Sequence, residues 1–187
     1  MTLNKKYIGL AQKSPEEAAR IVGEVDRSNY FAHTIREIQR AILQMHGKHY
    51  HVNTHISDQT RESHITFHES GCDIYLVPAC QEMDERAVRL ILAHELGHLV
   101  RQIDRLKERS GRFTPSPDEE VYAWEFAYHL VWTKSEWHRQ DKERDKHIFD
   151  QTGLKTMLSA VLRDKAPDVR RRVAEALGMP SPSGGYS

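Results

Sequence analysis

A chain of 187 residues is long enough for one domain with a sizeable core, or for one domain with a helical appendage. Its 39% hydrophobic and 29% charged residues exclude a disordered chain, and 27 basic against 27 acidic side chains leave no net charge to draw it to nucleic acid or an anionic membrane. The N-terminal stretch lacks the apolar core of a signal peptide, and no segment approaches the roughly 20 apolar residues that span a bilayer, so the expected compartment is the cytoplasm.

The first predicted element is a helix over 15–27. Ser14, Pro15 at the first helical position and Glu17 three residues after Ser14 form a capping box. Ile35, Ile38, Ile42 and Leu43 fall at helical spacing in a second helix that stops at Gly47. The period then changes to two. Tyr50, Val52 and Ile56 alternate with His49, His51, Asn53 and His55, and Ile65 and Phe67 alternate with His64, Thr66 and His68. A short apolar run, "CDIYLVP", ends at Pro78. These segments predict three strands in an antiparallel meander, with turns at "SDQTRE" and "ESG". His49, His51 and His55 share a strand face, and the expected reading is the wet face of a half-buried sheet. The third strand, at Ile74 to Val77, is expected to offer an edge to which an extended substrate could add. Cys72 and Cys80 are too few for a disulfide framework and are expected to be reduced, partly buried thiols.

A long helix follows, with Asp84 as its expected cap. Ala87, Ile91, His94 and His98 recur at i, i+4, i+7 and i+11 and share a face. A Gly-, Pro- and Ser-rich loop, "KERSGRFTPSPDEE", leads into a further helix, "DEEVYAWEFAYHLVWT", with acidic residues in its first turn. A charged stretch and two short helices, "GLKTMLSAVLRD" and "PDVRRRVAEALG", close the chain before the tail. The basic run Arg170 to Arg172 reads as a solvated helix face. The expected organisation is one domain over 1–135, a helical C-terminal extension over 136–178, and a disordered tail over 179–187.

The chemistry lies in "ILAHELGHLV". Residues four apart on a helix share a face, so His94 and His98 can aim both imidazoles at one metal ion. Glu95 lies one residue round, close to such an ion without pointing at it. That is the position of a base that takes a proton from water on the metal. Aspartate would be too short for this reach, and glutamine could not take the proton. In a chain with 12 histidines, random placement gives such a motif about 0.06 times. The context strengthens the match, because two unpartnered imidazoles on an otherwise apolar helix face would be costly and a metal is their natural partner. Gly97, a poor helix former between the two histidines, points to close approach by a neighbouring backbone.

A catalytic zinc takes three protein ligands and keeps an open position. Three residues are candidates for the third ligand. Asp104 follows His98 by six residues, but Arg101 stands where a glycine would let the chain turn back to the metal. Glu119 and Glu120 open the next helix. Glu120, Ala123, Ala127 and Val131 share a face, and the small alanines allow close packing on the HELGH helix. On the helix carrying Glu120, Tyr122 and His129 are candidates for oxyanion stabilisation, against ordinary roles as a core tyrosine and a surface histidine.

"AHELGH", followed after a short loop by Glu120-x-x-Ala123-x-x-Phe126-Ala127-x-x-Leu130, resembles the ImmA/IrrE-type metallopeptidases. The strand-then-helix entry, "CDIYLVPACQEMDERAVRLILAHELGH", is similar too. The resemblance covers residues 15 to 135. It departs at Leu130-Val131-Trp132-Thr133, where the family often has Leu-Leu-Met-Pro. It implies one zinc ion held by His94, His98 and Glu120, with Glu95 as catalytic acid/base, in a gluzincin-like arrangement of bacterial or phage origin.

The expected fold is α+β and zincin-like: a small antiparallel three-stranded sheet packed on the HExxH helix, with further helices around it. The expected function is a cytoplasmic zinc-dependent peptidase that cleaves a regulatory protein, such as a transcriptional repressor, in stress response or mobile-element control. Neither a membrane nor a direct nucleic-acid contact is expected. The alternative is a zinc-binding regulatory protein without peptidase activity, whose helices over 151–178 bind DNA or a partner. A structural zinc would need a fourth protein ligand.

Overall fold

A computed structural model describes residues 4–23, 31–140 and 151–180, with the backbone alone for 135–140. Within them the chain is α+β, with six α-helices and a four-stranded mixed sheet. The helices are α1 (Pro15–Gly23), α2 (Ala32–His46), α3 (Glu85–Gln102), α4 (Pro117–Gln140), α5 (Gln151–Val161) and α6 (Pro167–Leu177). The strands are β1 (His51–Ile56), β2 (His64–His68), β3 (Gly71–Leu76) and β4 (Gly111–Arg112).

The helix boundaries follow their caps. The Ser14 hydroxyl accepts the Glu17 backbone N–H at 3.2 Å and starts α1. Residues 24–27 of the expected first helix lie outside the described residues. Gly47, at φ 67°, ends α2 in the left-handed conformation that glycine adopts without strain. The Asp84 carboxylate accepts the Arg86 N–H at 2.9 Å and opens α3. α4 continues into the charged stretch as far as Gln140, beyond the end expected at Thr133.

The sheet differs from the expected antiparallel meander. Its order is β1-β3-β2-β4, with β1 parallel to β3. β2 pairs antiparallel with β3 and also with β4. The loop after β1 passes round the end of β3. Ser57 N–H donates to the Leu76 carbonyl at 3.1 Å, and Val77 N–H donates to the Ser63 hydroxyl at 3.3 Å. The chain thus leaves β1 on one side of β3 and enters β2 on the other. Side-chain alternation is the same for parallel and antiparallel neighbours, so the pattern alone could not separate the two. Consequently β3 is an interior strand and offers no edge at Ile74 to Val77.

Gly71 permits this insertion. A Cβ there would lie 2.5 Å from the His51 carbonyl oxygen and 2.9 Å from the His68 ring. The inner face of the sheet carries Ile65, Phe67, Cys72, Ile74 and Leu76, all buried against the helices. The outer face is polar. His55 Nε2 and Asn53 Nδ2 each lie 3.0 Å from the same Asp73 carboxylate oxygen, and the rings of His55 and His64 stack on Tyr75. His49, His51 and His55 are all exposed, as a wet sheet face requires. Cys72 and Cys80 are free and buried.

The helices form one core with the sheet. α1 packs on α4, α3 on α4, α5 on both α3 and α4, and α6 on α4. Leu154, Leu158, Leu162, Val169 and Val173 belong to the same buried cluster as the α3 and α4 side chains. Met179 is buried as well, so the chain stays packed beyond the expected start of its tail; residues 181–187 lie outside the described residues. No described helix is long and apolar enough to cross a membrane.

A Gly71→Ala substitution is expected to part β1 from β3 and to cost about 1–3 kcal/mol, the usual penalty for overpacking a closed site. Urea unfolding measures it. An unchanged midpoint would mean that the strands do not depend on this approach.

Candidate metal centre

α3 is buried on nearly every side around the motif. His94, Glu95 and His98 are only 4%, 2% and 2% exposed, although each carries polar atoms that water would otherwise solvate. Gly97 explains how α4 comes so close. A Cβ on it would lie 2.9 Å from the Ala123 Cα and 3.1 Å from the Ala123 carbonyl oxygen. α3 and α4 therefore meet backbone against backbone. Glu120 sits one helical turn before Ala123, which carries it over the histidine pair.

The three side chains converge. His94 Nε2 lies 3.3 Å from one Glu120 carboxylate oxygen, and His98 Nε2 lies 3.3 Å from the other. A ligand atom from each of the three falls within 4.8 Å of the others, and among the described residues this is the one His/Cys/Asp/Glu group of three or more that could hold a metal ion. The spacing fits zinc: donors bound at about 2.0–2.1 Å in a tetrahedron stand about 3.4 Å apart. It is long for a charged hydrogen bond. His94 Nε2 and His98 Nδ1 are both buried without a hydrogen-bond partner among the described residues. A divalent cation among these donors would satisfy His94 Nε2 directly.

The electrostatics agree. Burial by itself would raise the Glu120 carboxyl, but the two imidazoles override it and hold Glu120 well below the usual carboxylate range. Burial opposes a charge on His94, yet Glu120 and Glu95 draw its pKa upward on balance. Burial and the neighbouring His94 push His98 downward. A cation held by the three donors would compete with protons for the same imidazole nitrogens.

Glu95 stands apart from the three donors. Its carboxylate lies 3.5 Å from His94 Nδ1 and borders the same cleft. This cleft, of about 570 Å³, is lined by His94, Glu95, His98 and Glu120, and by Ser63, His64, Arg112 and Lys165 on its other walls.

Glu119 is occupied elsewhere. Its carboxylate accepts the Ser116 N–H at 2.8 Å while its own N–H donates to the Ser116 hydroxyl at 3.3 Å, a complete capping box. Gln102 also donates to it, and Arg109 Nε donates to Gln102 at 2.8 Å. Sequence reasoning missed this role, although Ser116-Pro117-Asp118-Glu119 repeats the pattern of Ser14-Pro15-Glu16-Glu17. Asp104 lies in a 3-10 turn, Ile103–Glu108, and is held by Gln12 outside the group. Neither Tyr122 nor His129 lines the cleft. Tyr122 is buried beneath the Arg101 guanidinium, and burial pushes the pKa of His129 down, with Glu16 and Arg20 of α1 as its charged neighbours.

Two further residues escaped the sequence reading. Trp124 stacks on the His94 ring at 3.9 Å between centroids, and Phe113 meets the His98 ring edge-on at 5.4 Å. Trp124 follows Glu120 by four residues, so helical spacing could have revealed it. Phe113 sits in a segment whose composition marks only a loop.

Replacing Gly97 with Ala should force α3 from α4 and lift Glu120 off the histidines. Zinc affinity, measured by competition with a chromophoric chelator, is expected to fall about 10- to 100-fold. Unchanged affinity would show that the helix contact does not set the site. No protein-family model matches this chain, and no curated protein or solved structure matches it either.

Proposed function

We propose that the protein is a zinc-dependent peptidase of the ImmA/IrrE type that acts on a regulatory protein inside the cell. The observation that carries this reading is the convergence of His94, His98 and Glu120 on one point, beside a buried Glu95 and an open cleft. Three donors leave a coordination position free for water or substrate, as a catalytic zinc requires. A sheet beside the HELGH helix, with the glutamate supplied by the next helix, supports a zincin-like, gluzincin-like assignment.

His94, His98 and Glu120 would hold the ion. When bound, zinc supplies a Lewis acid for a peptide carbonyl and lowers the pKa of water to about 7. Glu95 accepts the proton of the attacking water at its carboxylate and returns it to the nitrogen of the leaving amine. Trp124 and Phe113 keep the two imidazoles in place. The cleft would take an extended segment of the substrate. A transcriptional repressor as that substrate, and the cytoplasm as the setting, rest on the resemblance in the two motifs.

The alternative, a regulatory protein with a structural zinc, needs a fourth protein ligand. The described group has three. Its DNA-binding variant would use the basic run of α6. Arg171 is paired with Asp168 and Glu175, and Arg172 with Asp118, so much of that charge is neutralised within the chain.

Glu95→Gln separates the two readings. It is expected to keep one zinc per chain and to lose at least about 100-fold in cleavage of a quenched-fluorescence peptide library. Equal cleavage by the variant, or none by zinc-loaded wild type, would reject the peptidase mechanism.

A further inference from the structure

A second cavity, of about 390 Å³, lies between the end of α2, the start of β1 and the segment before β4. Ile42, Tyr50 and Leu106 give it apolar walls. Lys48, Lys107 and Arg109 bring three cations to it, against the single carboxylate of Glu69. Lys48 and Lys107 are exposed and make no ion pair among the described residues. Tyr50 is only 6% exposed, and its hydroxyl is buried without a hydrogen-bond partner among the described residues. That hydroxyl lies beside the buried Cys72 and is closed to solvent, which leaves the Tyr50 ring as a wall of the cavity.

We propose that this cavity binds a small organic phosphate monoester, its apolar body against Ile42, Tyr50 and Leu106 and its dianionic head among Lys48, Lys107 and Arg109, and that this binding tightens the metal centre. The charge excess and the apolar walls select the ligand class. Inorganic phosphate would leave the walls unused, and a neutral molecule would leave the cations unanswered.

The coupling runs through Arg109. Its Nε donates to Gln102, which in turn donates to Glu119, the residue that caps α4 immediately before Glu120. Its guanidinium also lies 5.4 Å from the Phe113 ring centroid, and Phe113 meets the ring of His98. Arginine has five N–H donors, and one suffices for Gln102. A phosphate on the others would fix Arg109 in the conformation that holds Gln102 and Phe113. Zinc affinity should then rise with phosphate, and by reciprocity phosphate affinity should rise with zinc. This second half rests on the zinc reading above; the binding half does not.

The test is calorimetric titration of phenyl phosphate into the untagged full chain, metal-free and zinc-loaded, for wild type and for a Lys48→Glu/Lys107→Glu double variant. Both lysines are exposed and lie outside the metal centre, and thermal unfolding verifies the variant's fold. Saturable binding to the metal-free wild type, weakened about tenfold or more in the variant, is expected. Inorganic phosphate should bind more weakly than phenyl phosphate. Zinc affinity should rise about fivefold with phenyl phosphate in wild type and not in the variant. No saturable binding to wild type, or equal binding by the variant, overturns the site. Binding that leaves zinc affinity unchanged overturns the coupling. A protein that takes up no zinc refutes the metal-centre reading, while metal-free titration still decides the cavity.

Discussion

The centre depends on two helix backbones in contact at Gly97 and Ala123. A Cβ at Gly97 would press on the Ala123 Cα at 2.9 Å, so no larger side chain fits without moving a helix. Glycine inside a helix costs roughly 1 kcal/mol relative to alanine, and here that cost secures a position. His94 and His98 are fixed by α3 alone. The third donor must come from another element, and its distance is set by how closely that element packs. With Ala123 and Ala127 fully buried on the facing side, α4 comes near enough for a glutamate to span both imidazoles.

Other features secure the start of α4. Glu119 closes the capping box with Ser116 and takes a further hydrogen bond from Gln102. Adjacent glutamates thus divide the work: one fixes the helix end and the other faces the histidines. Trp124 and Phe113 restrict the imidazole rings. Lys165, from the turn between α5 and α6, lines the cleft and stands 5.8 Å from the Trp124 ring centroid. The C-terminal segment thus contributes this turn to the wall of the cleft and its helices to the core.

The convergence of His94, His98 and Glu120 was legible because its determinants are local or small. The HELGH spacing follows from helix geometry, and Gly97, Ala123 and Ala127 announce a close helix contact by their size. The choice between Glu119 and Glu120 also lay in the sequence, in a second Ser-Pro-x-Glu signature that composition alone made look like a loop. The sheet order was not legible. Alternation records which face of a strand is buried, whereas its neighbour depends on the path of residues 57–63 around β3. Gly71 was the one local sign of a crowded neighbour. Phe113 meets His98, and Arg109 meets Phe113 and Gln102, through tertiary packing, and nothing periodic marks them.

The central claim is that His94, His98 and Glu120 hold one zinc ion with a position left open to the cleft. A crystal structure of the zinc-loaded protein, with anomalous differences recorded across the zinc edge, tests it most directly. The account predicts a single anomalous peak bonded to His94 Nε2, His98 Nε2 and a Glu120 carboxylate oxygen, with no fourth protein ligand and with Glu95 beside the open position. A peak elsewhere, a fourth protein donor, or no zinc at the three residues would contradict it.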